Sequence, residues 1–128
     1  MKLLLDTSVF LYLVHDRPIP SRVRAALEDT RNDVYLSLVT PWEMQIKVST
    51  GGIKLNQSVR SIIDAQLAHG SYTLLPITLD HIEALSRLPD IHKDPFDRLL
   101  IAQAVHENLI IVTGDLTIIE YPVSVFWK

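Results

Sequence analysis

The 128 residues carry 12 Lys and Arg against 15 Asp and Glu, a formal net charge of -3, with 48% hydrophobic and 21% charged residues and no cysteine. That length fits a single domain spanning residues 1–128 around its own core, and the composition excludes disordered, collagen-like and low-complexity chains. The missing cysteine removes disulfide scaffolds, thiolate nucleophiles and thiolate zinc sites, and the acidic balance argues against binding nucleic acid by generic counterion release.

Leu3 to Leu5 form the first strand candidate, which ends on Asp6. Asp6 also interrupts the apolar run that continues from Val9 to Val14, so the N-terminus does not read as an export signal. No stretch reaches the roughly 20 residues of a membrane span, and the expected location is the cytoplasm, away from any membrane. Val34 to Leu38 is the second strand candidate, and a helix is expected after it, opening at Thr40-Pro41-Trp42-Glu43. Val59, Ile62, Ile63 and Leu67 have helical spacing, Thr73 to Leu75 is a third strand, and Ile82, Leu85 and Leu88 recur every three residues as on an amphipathic helix. Pro95 to Glu107 is apolar around most of its circumference, which predicts a buried helix. Ile110 to Val112 is a fourth strand and Val123 to Phe126 a short fifth. This alternation predicts an α/β/α sandwich in which a mainly parallel sheet of four to five strands carries helices on both faces.

In such sheets ligands bind beyond the carboxyl ends of the strands, and four acids fall there. Asp6 follows the first strand directly, and Asp115 follows Ile110 to Val112 after Thr113 and Gly114. Glu43 and Asp97 lie at the starts of helices. A helix from Asp97 to Glu107 climbs about 15 Å, and an extended return to Asp115 covers roughly 20 Å the other way, which brings both acids to one edge. Two carboxylates 6 Å apart at an effective dielectric near 20 repel by roughly 3 kcal/mol. Raised pKa values or a hard divalent cation must offset that, and all-oxygen ligation suits Mg²⁺ or Mn²⁺. A carboxylate-held cation of this kind serves phosphodiester hydrolysis. Taken singly, the acids also have structural explanations. Thr40, Pro41 and Glu43 fit a capping box, Asp94 fits an N-cap with Asp97 favoured by the helix dipole, and Asp115 fits a turn after Gly114. Asp6, set between two apolar segments, needs a buried partner or a cation.

Leu4-Leu5-Asp6-Thr7-Ser8-Val9-Phe10-Leu11, Pro41-Trp42-Glu43-Met44 with Ile46-Lys47, the long run from Asp94-Pro95-Phe96-Asp97 to Ala104, and Val112-Thr113-Gly114-Asp115 together resemble the four acidic motifs of PIN domains, in particular toxin ribonucleases of the VapC type. The resemblance spans almost the whole chain. It implies a metal-dependent endoribonuclease in which Asp6, Glu43, Asp97 and Asp115 are catalytic and hold Mg²⁺ or Mn²⁺, with Thr7, Ser8 and Thr113 placing water or supporting groups. It also implies an RNA substrate, a small cognate antitoxin and a homodimer. Leu116-Thr117-Ile118-Ile119 departs from related sequences, which often carry a small residue or proline and then Phe.

Two other classes share an acid after the first strand. A haloacid dehalogenase-type phosphatase expects its second acid where this chain has Ser8. A receiver-like Mg²⁺-binding module expects adjacent acids after the first strand and a Lys after the last, where Thr7 and Gly114 stand. An inactive PIN-like module is a further non-catalytic alternative. Lys47, Lys54, Lys93 and Arg98 are candidates for RNA phosphates or for plain solvated charge. His92 is expected at the surface, Trp42 in packing, and Phe126 and Trp127 against an apolar edge.

Overall fold

A computed structural model describes residues 1–128. Its strands are β1 (Lys2–Leu5), β2 (Asp33–Ser37), β3 (Thr73–Leu75), β4 (Ile110–Val112) and β5 (Val125–Phe126). Its helices are α1 (Thr7–Val14), α2 (Ser21–Glu28), α3 (Val39–Ser49), α4 (Val59–Ala68), α5 (Leu79–Ala84) and α6 (Pro95–Glu107), with 3-10 turns at Leu85–Arg87 and Ile118–Glu120. The strands pair in parallel in the order β3-β2-β1-β4-β5, so the predicted parallel sheet is present with five strands.

Leu3, Leu4 and Leu5 are all buried because β1 lies at the centre of the sheet with both faces covered, which is why its sequence is a continuous apolar run. Side chains alternate across the pleat and build two cores. Leu3, Leu5, Leu36 and Val112 pack with Phe10 of α1, Val23 of α2, Met44 of α3 and Ile63 of α4. Leu4 and Ile111 face the other way, into Leu100, Ile101 and Ala104 of α6 and the nearby Ile118 and Tyr121. The outcome is three layers.

The chain steps from β1 to β2 and β3 in one direction and to β4 and β5 in the other. The carboxyl ends of β1 and β4 therefore border the crevice where the order reverses, the usual binding place of open α/β sheets.

A buried polar bridge sets α3 against α6. Ser37 Oγ donates to Gln103 Oε1 at 2.5 Å and accepts the Val39 N–H at 3.0 Å. Gln103 Nε2 donates to the Pro76 carbonyl at 3.3 Å. Since α3 carries Glu43 and α6 carries Asp97, this bridge fixes the spacing of two of the acids.

Two expectations about helices need correction. The stretch through Ile82, Leu85 and Leu88 is not one amphipathic helix: α5 ends at Ala84 and continues as a 3-10 turn, whose three-residue period is the one in the sequence. Its inner face is His81 and Ala84, while Ile82 is 49% exposed. The start of α3 also differs, as described below.

Candidate active site

Asp6 stands where β1 turns into α1. Its N–H extends the ladder to the Val112 carbonyl at 3.1 Å, which holds the residue between the two central strands. Its Oδ2 accepts from Thr113 Oγ1 at 2.7 Å and from Ser8 Oγ at 2.9 Å. Burial pushes the Asp6 carboxyl up; the two hydroxyls oppose this, and the charges of Glu43 and Asp115 add to it. Ser8 and Thr113 thus hydrogen-bond the Asp6 carboxylate directly. Thr7 does not: its hydroxyl pairs with Thr40 at 3.1 Å and ties the start of α1 to the start of α3.

Glu43 is not the third residue of a capping box. The Ser37 hydroxyl takes the Val39 N–H, so α3 begins at Val39 with Leu38 at its N-cap position and Pro41 already inside the first turn, where a missing N–H costs no helical bond. Glu43 falls one turn in and is buried. Its Oε2 lies 2.9 Å from Lys47 Nζ, and its Oε1 is buried with no hydrogen-bond partner. Burial works against the Lys47 charge, yet the Glu43 hydrogen bond and the carboxylates of Glu43, Asp94 and Asp97 outweigh it and raise the ammonium's pKa.

At α6, Asp94 Oδ1 accepts the N–H groups of Phe96 and Asp97 at 2.8 and 3.2 Å, with Pro95 at the first helical position. The predicted cap is in place, and Asp97 sits in the first turn facing the other acids. Its pKa is pushed up to about 7, first by burial and then by the charges of Asp6, Asp94, Glu43 and Asp115. Asp115 completes the group: its N–H donates to Thr113 Oγ1 at 3.0 Å and its Oδ1 accepts the Thr117 N–H at 2.9 Å. That turn forms despite the unusual Leu116-Thr117 sequence.

His92 is not a lone surface residue. Its Nε2 lies 3.0 Å from Asp97 Oδ2 and 3.8 Å from Asp115 Oδ2. Its Nδ1 accepts the Asp94 N–H at 3.2 Å, which assigns the proton of a neutral ring to Nε2 and makes it a donor toward Asp97. The Tyr121 hydroxyl accepts the His92 N–H at 2.6 Å and fixes the loop. The sequence carries one signal for this, a His two residues before an Asp-Pro helix cap.

Four carboxylates from four separated segments therefore act on one another at one sheet edge. Their donor chemistry fits a hard divalent cation: oxygen atoms predominate, Glu43 Oε1 has no partner, and both hydrogen bonds of Asp6 fall on Oδ2, leaving Oδ1 free. One ligand atom each from His92, Asp97 and Asp115 lies within 4.8 Å of the others. Burial is the first cause of the raised pKa values of Asp6 and Asp97, and the mutual repulsion of the carboxylates adds to it.

Of the remaining candidates, Arg98 is committed within the protein, donating to the Pro89 carbonyl at 2.9 Å and to the Tyr121 hydroxyl at 3.2 Å. Lys54 and Lys93 are exposed. Trp42 is half exposed, its ring edge-on to Phe96 at 4.8 Å, so it is not core. Phe126 and Trp127 pack against the core on the β1–α1 side. A cavity of about 530 Å³ opens at the opposite edge of the sheet beside Arg24, Asn32 and Tyr72. Its one aspartate, Asp29, is already bound by Arg31.

The family model described as PIN domain matches residues 3–123. No curated protein matches the sequence. Among solved structures, VapBC2 from Rickettsia felis, bound to a DNA fragment from its promoter, aligns with a TM-score of 0.76 at 18% identity, covering 100% of both chains. FitAcB from Neisseria gonorrhoeae aligns with a TM-score of 0.62 at 23% identity over 97% of this chain and 96% of the other. A toxin-antitoxin complex from Klebsiella pneumoniae gives 0.63 at 19% identity over 97% and 95%. At these identities the likeness is one of fold.

Proposed function

Because this chain belongs to the PIN domain family, we propose that it is a Mg²⁺- or Mn²⁺-dependent endoribonuclease, the toxin of a VapC-type toxin–antitoxin pair. The observation that carries this reading is the gathering of Asp6, Glu43, Asp97 and Asp115 at the crevice between β1 and β4, where burial first and the neighbouring carboxylates second push Asp97 up to about 7.

Asp6, Glu43, Asp97 and Asp115 would hold the cation. When bound, it supplies Lewis-acid polarisation of a phosphodiester and a water that gives up its proton more readily. The chain's own residues prepare that site. Thr113 and Ser8 fix the Asp6 carboxylate by its Oδ2. The Asp94 cap sets the first turn of α6 and with it Asp97. His92 donates to Asp97 from the open side. Hydrolysis by water on such a cation needs no covalent enzyme intermediate.

The toxin-antitoxin complex among the fold relatives supports a small antitoxin as partner; its seat on the acidic edge, a homodimer and a cytoplasmic location belong to the same proposal. No helix is long and apolar enough to cross a membrane.

The test is cleavage of single-stranded RNA by purified protein with Mg²⁺ or Mn²⁺, and its loss with EDTA and in Asp6→Asn and Asp97→Asn. Cleavage retained in both variants overturns the assignment. Cation binding without cleavage of any RNA points instead to an inactive PIN-like module.

A further inference from the structure

Glu43 and Lys47 are one helical turn apart on α3, and their pairing crosses the boundary of the site. The Glu43 side chain is 5% exposed and the Lys47 side chain 45%, with Nζ and Oε2 2.9 Å apart. An exposed i,i+4 pair is ordinarily a weak surface feature, but here the carboxylate is buried and belongs to the acid cluster. Only one of its oxygens is engaged; Oε1 has no partner. Lys47 also feels the charges of Asp94 and Asp97 at the start of α6.

A divalent cation on the same carboxylates would put two positive charges side by side. The mobile one is Lys47, a point charge on a four-carbon stem that already reaches solvent. Two other basic groups near this edge are less free. Arg98 is tied to Pro89 and Tyr121, and the His92 ring is held through Nδ1.

We infer that Lys47 is a movable counter-ion: in the metal-free protein it neutralises Glu43, and with a divalent cation on the carboxylates it turns outward to hold a backbone phosphate of the RNA. The inference rests on the nuclease reading and adds to it a residue with two opposed effects, competing with the metal and helping the substrate.

Lys47→Gln and Lys47→Arg separate them. Mn²⁺ binding is measured by calorimetry on the full chain without RNA, and binding of a single-stranded oligoribonucleotide by anisotropy in Ca²⁺ over a range of salt. Lys47→Gln is expected to bind Mn²⁺ several-fold more tightly than the wild type. It should bind RNA more weakly, with a salt slope smaller by about 0.7–1. Lys47→Arg should keep RNA binding. Mn²⁺ affinity that is unchanged or weaker in Lys47→Gln, or an unchanged salt slope, overturns the inference while leaving the nuclease standing if the wild type cleaves. A wild-type protein that binds no Mn²⁺ overturns the nuclease reading and this inference with it.

Discussion

Thr113 Oγ1 donates a 2.7 Å hydrogen bond to Asp6 Oδ2, joining the ends of β1 and β4 across 107 positions of sequence. The same hydroxyl accepts the Asp115 N–H at 3.0 Å, so one side chain orients two of the four acids. Thr113→Val keeps the shape and removes both interactions. It should lower unfolding free energy in urea at pH 7 by about 1–3 kcal/mol, the usual loss for a buried charge-assisted bond, and weaken Mn²⁺ binding. Thr113→Ser should retain both. Wild-type stability and affinity in the valine variant would show that the bond does not organise the site.

Asp97 gives the metal-free protein a pH dependence with a definite sign. In the fold it titrates at about 7, against an ordinary value of 3.8. Between those values the folded protein holds a proton that the unfolded chain has released, so stability falls as pH rises through the window and stays lowered above it. Asp97→Asn removes this penalty. In EDTA at pH 8 the variant should be more stable than the wild type by about 1–2 kcal/mol, a figure discounted for the part of the group that water reaches. At pH 4 the two should match. Saturating Mg²⁺ should stabilise the wild type much more than the variant and narrow or reverse the difference. Melting curves at both pH values, with and without Mg²⁺, decide this.

What the sequence revealed and what it concealed have a common physical reason. Asp6, Asp97 and Asp115 are legible because each closely follows a strand or opens a helix, and parallel topology sends all such positions to one edge. Residues whose roles depend on contacts from distant segments are not. Ser37 takes the Val39 N–H from inside β2, so α3 starts before Thr40 and Glu43 is a buried residue one turn in instead of a capping one. His92 reaches the acids because Tyr121, 29 positions away, holds its N–H. Trp42 lies on the outer side of α3, a placement that hydrophobicity alone does not report.

Gln103 should prove as important to the site as its distance from the chemistry suggests it is not. Gln103→Leu fits a buried helical position by size but leaves the Ser37 hydroxyl and the Pro76 carbonyl without the partner they have now. The expected loss is roughly 2–4 kcal/mol of stability. Where the variant still folds, Mn²⁺ affinity should drop as Glu43 and Asp97 lose their fixed spacing. Equal melting temperature and equal Mn²⁺ affinity would make Gln103 a passive filler of the core.

Gly114 tests whether the end of the chain helps to shape the Asp115 turn. A Cβ placed there would stand 2.8 Å from Trp127 Cε2 and 3.0 Å from two further indole atoms, so the close approach, and not an unusual backbone angle, requires glycine. The indole packs against the core through Phe126 and its neighbours, and moving it disturbs β5. Gly114→Ala should therefore cost about 1–3 kcal/mol by overpacking. Because the strained peptide leads directly into Asp115, it should also weaken Mn²⁺ binding. Trp127→Leu opens the space, so the double variant should be more stable than the sum of the two single losses allows, the mark of coupled residues. Strict additivity in urea denaturation would mean that the indole yields freely and that the turn is set by Thr113 and Thr117 alone.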